Sequence, residues 1–327
     1  MEFDERWKKI AADSIGMSAS DIHLMEGGSV YLRVDGRLKK MDDDTVLSRE
    51  WMEDFLTASG GNVPDYSFEY GGRAFRVHAY TAAGKKMASL WLVPPSVPSL
   101  SEIGAPDGMS RALSLAHGLL LVCGRTGQGK TTTLAAIIDG WLKQHDGHLV
   151  TLEDPVEYRF TGDMISQMEL GRDFHSFPEA MRDVVRMDPD IIMVSEIRDR
   201  ETCRAAIQAA EAGFYVLGSL HTSNASEAIL RLVSLAGGDA MEVREALAAI
   251  LVGIISQRLV MRKNGGRALA AEVMWTTTAV RNLIRSGRIG SIASCIMAGQ
   301  SDGMQTMEMS LSRLAAKGII SINQAWR

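Results

Sequence analysis

The sequence predicts an α/β fold, in which helices flank a parallel β-sheet and a smaller mixed domain precedes it. Beyond residue 101, stretches with helical spacing alternate with four apolar runs: GLLLVCG, HLVTLED, DIIMVSE and FYVLGSL. This alternation is typical of parallel sheets with crossover helices. Each run ends in polar residues or glycine, at the edge where open parallel sheets bind ligands. Residues 102–275 are therefore predicted to contain the functional site.

Residues 1–95 are predicted to form the smaller α+β domain. Its opening stretch, FDERWKKIAADSI, carries apolar residues at helical spacing and predicts an amphipathic helix. The stretch SVYLRVDGRLKKM predicts a hairpin that turns at Asp35-Gly36, MEDFLTASG a second helix, and residues 67–95 three further strands. The prolines of residues 94–101 predict a linker, because proline fits neither the interior of a helix nor a central strand.

The last part of the chain is predicted to be largely helical from about residue 240 onward. Within it, residues 276–327 are expected to form a C-terminal helical segment. The stretches AVRNLIRSG and GMQTMEMSLSRLAAKG each place apolar residues on one helical face, as helices that pack against a core do.

Composition argues against several classes of protein. The 327 residues carry a formal net charge of -5, which does not suggest a dedicated nucleic-acid binder. The 3 cysteines are far apart and predict neither a disulfide framework nor a zinc site. The apolar run ALAAILVGII is too short to span a membrane, and the charged first residues do not resemble a signal peptide. We therefore expect a soluble, cytoplasmic protein with no nucleic-acid partner.

A phosphate-binding loop is predicted at GRTGQGKT, residues 124–131. It matches the pattern G-x-x-x-x-G-K-[ST] between an apolar run and a helical stretch. Backbone N–H groups of such a loop surround phosphate oxygens, while Lys130 is expected to reach the β- and γ-phosphates and Thr131 to bind Mg²⁺ directly. The predicted cofactors are ATP and Mg²⁺. The predicted nucleotide-binding residues are Gly124, Thr126, Gly127, Gln128, Gly129, Lys130, Thr131 and Thr132.

Carboxylates follow two of the other apolar runs. Glu196 ends DIIMVSE, where it could polarise an attacking water. TLEDPVEY carries Glu153, Asp154 and Glu157 around a turn-forming or cis-favouring proline, and such a cluster could hold the hydration shell of Mg²⁺. His221 follows the fourth run; by itself it is either a polar loop residue or a functional one.

In order and spacing, these segments resemble the secretion and pilus ATPase superfamily. Its phosphate loop, Asp box, modified Walker B strand and His box correspond to residues 124–132, 151–158, 190–199 and 221–232. Nearly the whole chain resembles the PilT-like pilus-retraction ATPases. SDIHL, LRVDG and FRVHAY are similar to their PAS-like N-terminal domain, and AVRNLIRSG to a segment associated with retraction. The resemblance implies a RecA-like P-loop ATPase domain over residues 102–275.

The resemblance also implies roles and partners. Glu196, Glu157 and His221 would be catalytic, with Glu157 holding Mg²⁺ through water and His221 contacting the γ-phosphate. The chain would form a homo-hexamer that binds nucleotide between subunits. Hydrolysis would drive an inner-membrane platform protein and, indirectly, the pilin machinery. The motor would act at the cytoplasmic face of the membrane and associate with the membrane through these partners.

The implied function is type IV pilus retraction, which produces twitching motility. The alternatives are an ATPase of a DotB-like type IV secretion or conjugation system, and a pilus or secretion assembly ATPase. Two further hypotheses are a nucleic-acid translocase and a regulatory module that binds ATP without hydrolysing it.

Four departures from the family pattern bear on these roles. Ser195 stands where glycine is usual, Gln128 where a small residue is common, and Ser286 where an acidic residue is frequent. Residues 81–94 contain no arginine, although the family commonly carries arginines there that reach a phosphate across the subunit boundary. Gly84 and Trp91 occupy those places, and the other candidate cations are Lys85, Lys86, Arg33, Arg73 and Arg76.

Overall fold

The structure is a computed structural model that describes residues 4–41, 46–61, 63–93 and 96–321. The chain divides into two compact units, Met1–Ser96 and Val97–Arg327. The division falls inside the predicted linker, of which Pro94 and Pro95 lie outside the described residues. Phe3, in the stretch that predicts the first helix, also lies outside them.

The first unit is an antiparallel sheet of six strands with two helices. Its strand order is β3-β2-β1-β6-β5-β4. Trp7 is completely buried at the centre of an aromatic core, 4.8 Å from the ring centroid of Phe55 and 5.3 Å from that of Phe75. The predicted turn at Asp35-Gly36 is confirmed, because both residues have positive φ and join β2 to β3. The elements are α1 (Glu5–Gly16), β1 (Asp21–Met25), β2 (Tyr31–Val34), β3 (Arg37–Lys40), α2 (Arg49–Ala58), β4 (Asp65–Tyr70), β5 (Arg73–Ala82) and β6 (Lys85–Leu92).

The second unit contains a seven-stranded sheet of order β13-β12-β7-β11-β10-β8-β9. Every neighbouring pair is parallel except β12 and β13, which are antiparallel. The four runs that predict strands are β7, β8, β10 and β11, and every residue in them is buried. The predicted α/β fold class is thus confirmed. The strands are β7 (Gly118–Cys123), β8 (Leu149–Glu153), β9 (Ile165–Glu169), β10 (Ile191–Val194), β11 (Tyr215–Leu220), β12 (Leu251–Met261) and β13 (Arg267–Trp275).

Helices follow most of these strands and complete the unit. Among the described residues, no helix is both long enough and apolar enough to cross a membrane. The helices are α3 (Lys130–Leu142), α4 (Phe177–Val184), α5 (Arg200–Glu211), α6 (Ala225–Ala236), α7 (Ala240–Ile250), α8 (Thr278–Arg285), α9 (Ile292–Ala298) and α10 (Met307–Ala316).

The prediction of a largely helical chain beyond residue 240 is wrong for residues 251–275. Helix α7 ends at Ile250, and β12 begins at the next residue and pairs with both β7 and β13. The first half of β12 is buried on both faces, so its apolar residues show no alternation. Periodicity cannot separate such a strand from a buried helix.

Candidate nucleotide-binding site

The phosphate loop connects β7 to α3. Gly124, Gly127 and Gly129 have φ values of 154°, 75° and 81°, a region that glycine adopts readily and other residues avoid. A Cβ atom at Gly124 would lie 2.9 Å from the carbonyl oxygen of Gln257, so this glycine also allows β12 to approach closely. The loop ends at the N-terminus of α3, whose first residue is Lys130. This geometry matches that of an anion-binding loop.

The remaining motif residues lie around this turn. Thr126 is exposed in the loop, and Thr131 is half-buried in the first turn of α3. Thr132 is hydrogen-bonded to the hydroxyl of Tyr158, at an oxygen–oxygen distance of 2.9 Å. Tyr158 is buried, and this burial raises its pKa. The phosphate loop is therefore joined directly to the segment that carries Glu157.

Three predicted site residues meet at the carboxyl edge of the sheet. His221 lies between the other two: its Nδ1 is 3.4 Å from Lys130 Nζ, and its Nε2 is 3.3 Å from Glu196 Oε1. The strands that precede them, β7, β11 and β10, are neighbours in the sheet. The side chains of His221 and Glu196 remain 42% and 35% exposed, so a bound phosphate and a water molecule can reach them.

The charge of Lys130 is held in a half-buried position. Burial lowers its pKa, and the carboxylates of Glu196 and Glu157 oppose this effect. The ammonium also donates to the carbonyl oxygen of Arg125, at 3.3 Å. An ammonium that is partly removed from water attracts an incoming phosphate more strongly than one in open solvent, and the two carboxylates help to keep it protonated.

Helix α6 begins just after His221. Asn224 is its N-cap and accepts from the backbone N–H of Glu227, at 2.9 Å. Glu272 on β13 accepts from the backbone N–H of Ala225, at 2.8 Å. The backbone just after His221 is therefore held by the N-cap of α6 and by Glu272 of β13.

The three carboxylates of residues 151–158 differ in their access to solvent. Asp154 is exposed and Glu157 half-buried, but Glu153 is 2% exposed. Glu153 accepts from Thr151 Oγ1 at 2.6 Å and from Gln167 Nε2 at 3.0 Å, and burial raises its pKa to about 7. The peptide bond between Asp154 and Pro155 is cis. Only Glu157 and Asp154 are left to act in solvent.

Strand β9 holds this segment in place through residues that the sequence motifs do not indicate. Gln167 donates from Nε2 to the carbonyl oxygen of Tyr158 at 2.8 Å, and its Oε1 accepts from the backbone N–H of Phe160 at 3.0 Å. Glu169 accepts from the backbone N–H of Val156 at 3.1 Å. The alternation of Gln167 and Glu169 in ISQME puts both on one face of a strand, which is the signal that could have identified them.

The pKa of Glu153 predicts a pH dependence of stability. Because folding raises this pKa from about 4.5 to about 7, the folded state binds the proton more tightly than the unfolded state. The stabilisation is present below about pH 4.5 and is lost as the pH rises through 7. From pH 4.5 to pH 8, the wild type should lose about 3 kcal/mol more unfolding free energy than Glu153→Gln does. Urea titrations across this range measure it, with the exposed Glu211→Gln as control; parallel profiles would contradict it.

The candidate cations of the first unit differ in their partners. Arg33 lies 3.6 Å from Asp21 and Lys86 lies 3.1 Å from Glu53, so each already faces a carboxylate. Arg76 stands opposite Trp91 in the β5–β6 register, and its guanidinium carbon lies 5.2 Å from the centre of the Trp91 ring. Within the part of the chain that the structure describes, Arg76 forms no ion pair.

Sequence comparison places the chain among secretion and pilus ATPases, which agrees with a nucleotide-binding site at the phosphate loop. The model of the family described as type II/IV secretion system protein matches residues 100–327. Over 337 aligned residues, the chain is 39% identical to the type IV pilus retraction ATPase PilT of Pseudomonas aeruginosa; this covers 97% of the chain and 96% of the relative.

Solved structures show the same fold. The crystal structure of the pilus retraction motor PilT with bound ADP superposes with a TM-score of 0.85 at 36% identity, covering 99% of this chain and 96% of that one. The ATPase DotB of Legionella pneumophila superposes with a TM-score of 0.84 at 26% identity, covering 100% of this chain and 96% of that one. The resemblance inferred from the motifs is therefore confirmed: the chain belongs to the type II/IV secretion system protein family.

Proposed function

We propose that the chain is a motor ATPase that couples ATP hydrolysis to type IV pilus retraction. The observation that carries this proposal is the line of Lys130, His221 and Glu196 beside the phosphate loop, with distances of 3.4 and 3.3 Å between neighbours. Lys130 is a cation that can bind phosphate, His221 is a polar group that can contact the γ-phosphate, and Glu196 is a carboxylate that can polarise the attacking water. Similarity to a pilus retraction ATPase over nearly the whole chain supports the cellular task.

Each residue has a defined part in this proposal. The N–H groups of the phosphate loop and Lys130 bind the phosphates, and Glu196 orients and polarises the attacking water. His221 contacts the γ-phosphate and senses its presence, since its ring lies between the cation and the carboxylate. The chemistry is thus assigned to Glu196, and His221 acts as a sensor.

The donor set fits Mg²⁺ bound together with a nucleotide. Thr131 offers a hydroxyl in the first turn of α3, and Glu157 lies near enough to Lys130 to influence its pKa. Among the described residues, no group of three or more His, Cys, Asp or Glu side chains could hold a metal ion. One hydroxyl with a carboxylate acting through water is the sparse protein contribution that Mg²⁺ accepts beside phosphates. When bound, the ion neutralises charge on the phosphates.

We further propose a homo-hexamer in which the first unit of one subunit supplies a cation to the nucleotide of the next. Arg33 and Lys86 each already face a carboxylate, which leaves Arg76, Arg73 and Lys85 as candidate donors. Arg76 is favoured among them, because its guanidinium is held over the ring of Trp91 and carries the fork that suits a phosphate. The motor would act at the cytoplasmic face of the inner membrane, on a platform protein and indirectly on the pilin machinery, without nucleic acid. Membrane association would occur through these partners.

Deletion of the gene in its native host tests the cellular task. The expected result is an accumulation of surface pili that no longer retract, with loss of twitching motility and recovery when the wild-type chain is restored. Normal retraction in the deletion strain would contradict the proposal.

Helix α8 is proposed to transmit the motion. Val280 and Ile284 are buried, Arg281 donates to the carbonyl oxygens of Ala248 and Ala249 at the end of α7, and Asn282 is exposed. Arg281→Ala combined with Asn282→Ala should therefore spare ATP turnover and abolish twitching. Turnover by the purified protein and motility on agar measure the two effects, with the exposed Arg288→Ala as control. Parallel loss of turnover and motility at an unchanged melting temperature would contradict the transmission role.

A second candidate function is an ATPase of a DotB-like type IV secretion or conjugation system. The close superposition on the Legionella ATPase favours it, because that fold match extends over both units. The deletion strain separates the two functions: this candidate predicts normal pilus retraction and a defect in secretion or conjugation.

A further inference from the structure

Gln128 forms two hydrogen bonds that tie the phosphate loop to β12. Its side-chain Oε1 accepts from the backbone N–H of Leu259, and its backbone oxygen accepts from Gln257 Nε2, both at 2.7 Å. Gln257 is 2% exposed, so the second of these bonds is partly buried.

The N–H of Leu259 needs such a partner. The pairing of β12 with β7 ends at Ser256 and Cys123, whereas β12 continues to Met261 paired with β13 alone. Beyond Ser256, the side of β12 that faced β7 has no strand beside it. An N–H left without an acceptor there would cost free energy, and the Gln128 amide oxygen takes the place of the missing strand.

Other contacts bring the loop onto the β12–β13 hairpin. A Cβ atom at Gly129 would lie 3.4 Å from both Gln257 Nε2 and Leu259 Cδ1. On β13, Arg267 Nη1 lies 3.4 Å from the carbonyl oxygen of Gly127. The loop therefore contacts the hairpin at Gly127, Gln128 and Gly129, and the two bonds of Gln128 are the shortest of these contacts.

We propose that Gln128 is a positioning residue, whose side chain holds the phosphate loop against β12 and so keeps its N–H groups aimed at the bound phosphates. A serine or alanine at this position would be too short to reach Leu259. The inference rests on the proposed binding of a nucleotide. The Gln128 side chain would raise nucleotide affinity by holding the loop in its binding conformation, without touching the phosphates itself.

Two variants with side chains about as long as glutamine separate the effect of the hydrogen bond on nucleotide affinity from the effects of side-chain size and charge. Gln128→Met removes the acceptor, and Gln128→Glu keeps an acceptor but adds a negative charge. Both are compared with the full-length wild type by calorimetric titration with ADP, by ATP kinetics, and by hydrogen–deuterium exchange of the peptide that contains Leu259. Titration with ADP does not depend on hydrolysis, so it tests the inference even if the chain proves unable to turn ATP over.

Gln128→Met should expose the Leu259 amide to exchange and raise the ADP dissociation constant about threefold to tenfold, as expected for one lost hydrogen bond. The KM for ATP should rise by a similar factor, with a smaller change in kcat. Gln128→Glu should keep the amide protected. Its loss of affinity should shrink toward the wild-type value at high salt, because salt screens the added charge, whereas the loss in Gln128→Met should persist.

Several results would overturn the inference. Faster exchange at Leu259 with unchanged ADP affinity in Gln128→Met would show that the bond only stabilises the fold. Unchanged exchange would show that the bond contributes nothing. Absence of ADP binding by the wild type would instead reject the proposed nucleotide site, and this inference with it.

Discussion

Glu196→Gln is expected to abolish ATP turnover and to leave nucleotide binding intact. Glutamine keeps the size and polarity of the side chain but cannot accept a proton or polarise water as a carboxylate does. The loss of such a group costs about 10²- to 10⁴-fold in kcat. Phosphate release measures turnover, and ADP titration measures binding. The exposed Glu201→Gln, in the first turn of α5, is the matched control.

The position of Glu196 makes this experiment discriminating. Its Oε1 lies 3.3 Å from His221, and only 35% of its side chain is exposed. If its role were to hold His221 in place, the amide oxygen of glutamine would preserve much of that contact and turnover would stay within about tenfold of wild type. Such a result would move the catalytic assignment to another carboxylate, with Glu157 as the next candidate.

Lys130→Ala is expected to weaken ADP binding by about a hundredfold and to leave hydrolysis undetectable, because hydrogen bonds to charged groups are the strongest contacts that a phosphate can lose. Calorimetric titration measures the affinity. Lys143→Ala removes an exposed lysine of the same chain and serves as control.

The stability of the nucleotide-free Lys130→Ala protein separates binding from folding. Burial lowers the pKa of Lys130, which means that the folded protein holds this charge at a cost. Its removal should therefore leave the melting temperature unchanged or raised. A lowered melting temperature together with weak binding would show that Lys130 supports the fold, contrary to a role in phosphate binding alone.

The sequence predicts those parts of the site that depend on local pattern. The phosphate loop follows from one motif, and β7, β8, β10 and β11 follow from continuous apolar runs that end in polar residues. Strand tips at one edge of a parallel sheet must lie close together. The meeting of Lys130, His221 and Glu196 could therefore be expected before their distances were known.

The remainder depends on contacts between distant segments. Gln167 holds residues 158–160 only because β9 pairs with β8, and nothing near Gln167 in sequence shows this pairing. Glu153 and Glu157 both belong to TLEDPVEY, yet the first is buried and the second is not. Strand β1 has only five residues, and its place between β2 and β6 is set by its pairing with strands that are distant in sequence. Local pattern cannot decide any of these.

The length of β13 has a mechanical consequence. The strand begins with Arg267 beside Gly127 of the phosphate loop, carries Glu272 at the start of α6, and ends at Trp275, just before α8. It is paired with β12 from Arg267 to Trp275, and nine residues of extended chain span about 30 Å. A hydrogen-bonded ribbon resists stretching and shear far better than a loop of the same length. The hairpin is therefore a stiff strut between the phosphate loop and the residues just before α8, as the transmission role proposed for α8 requires.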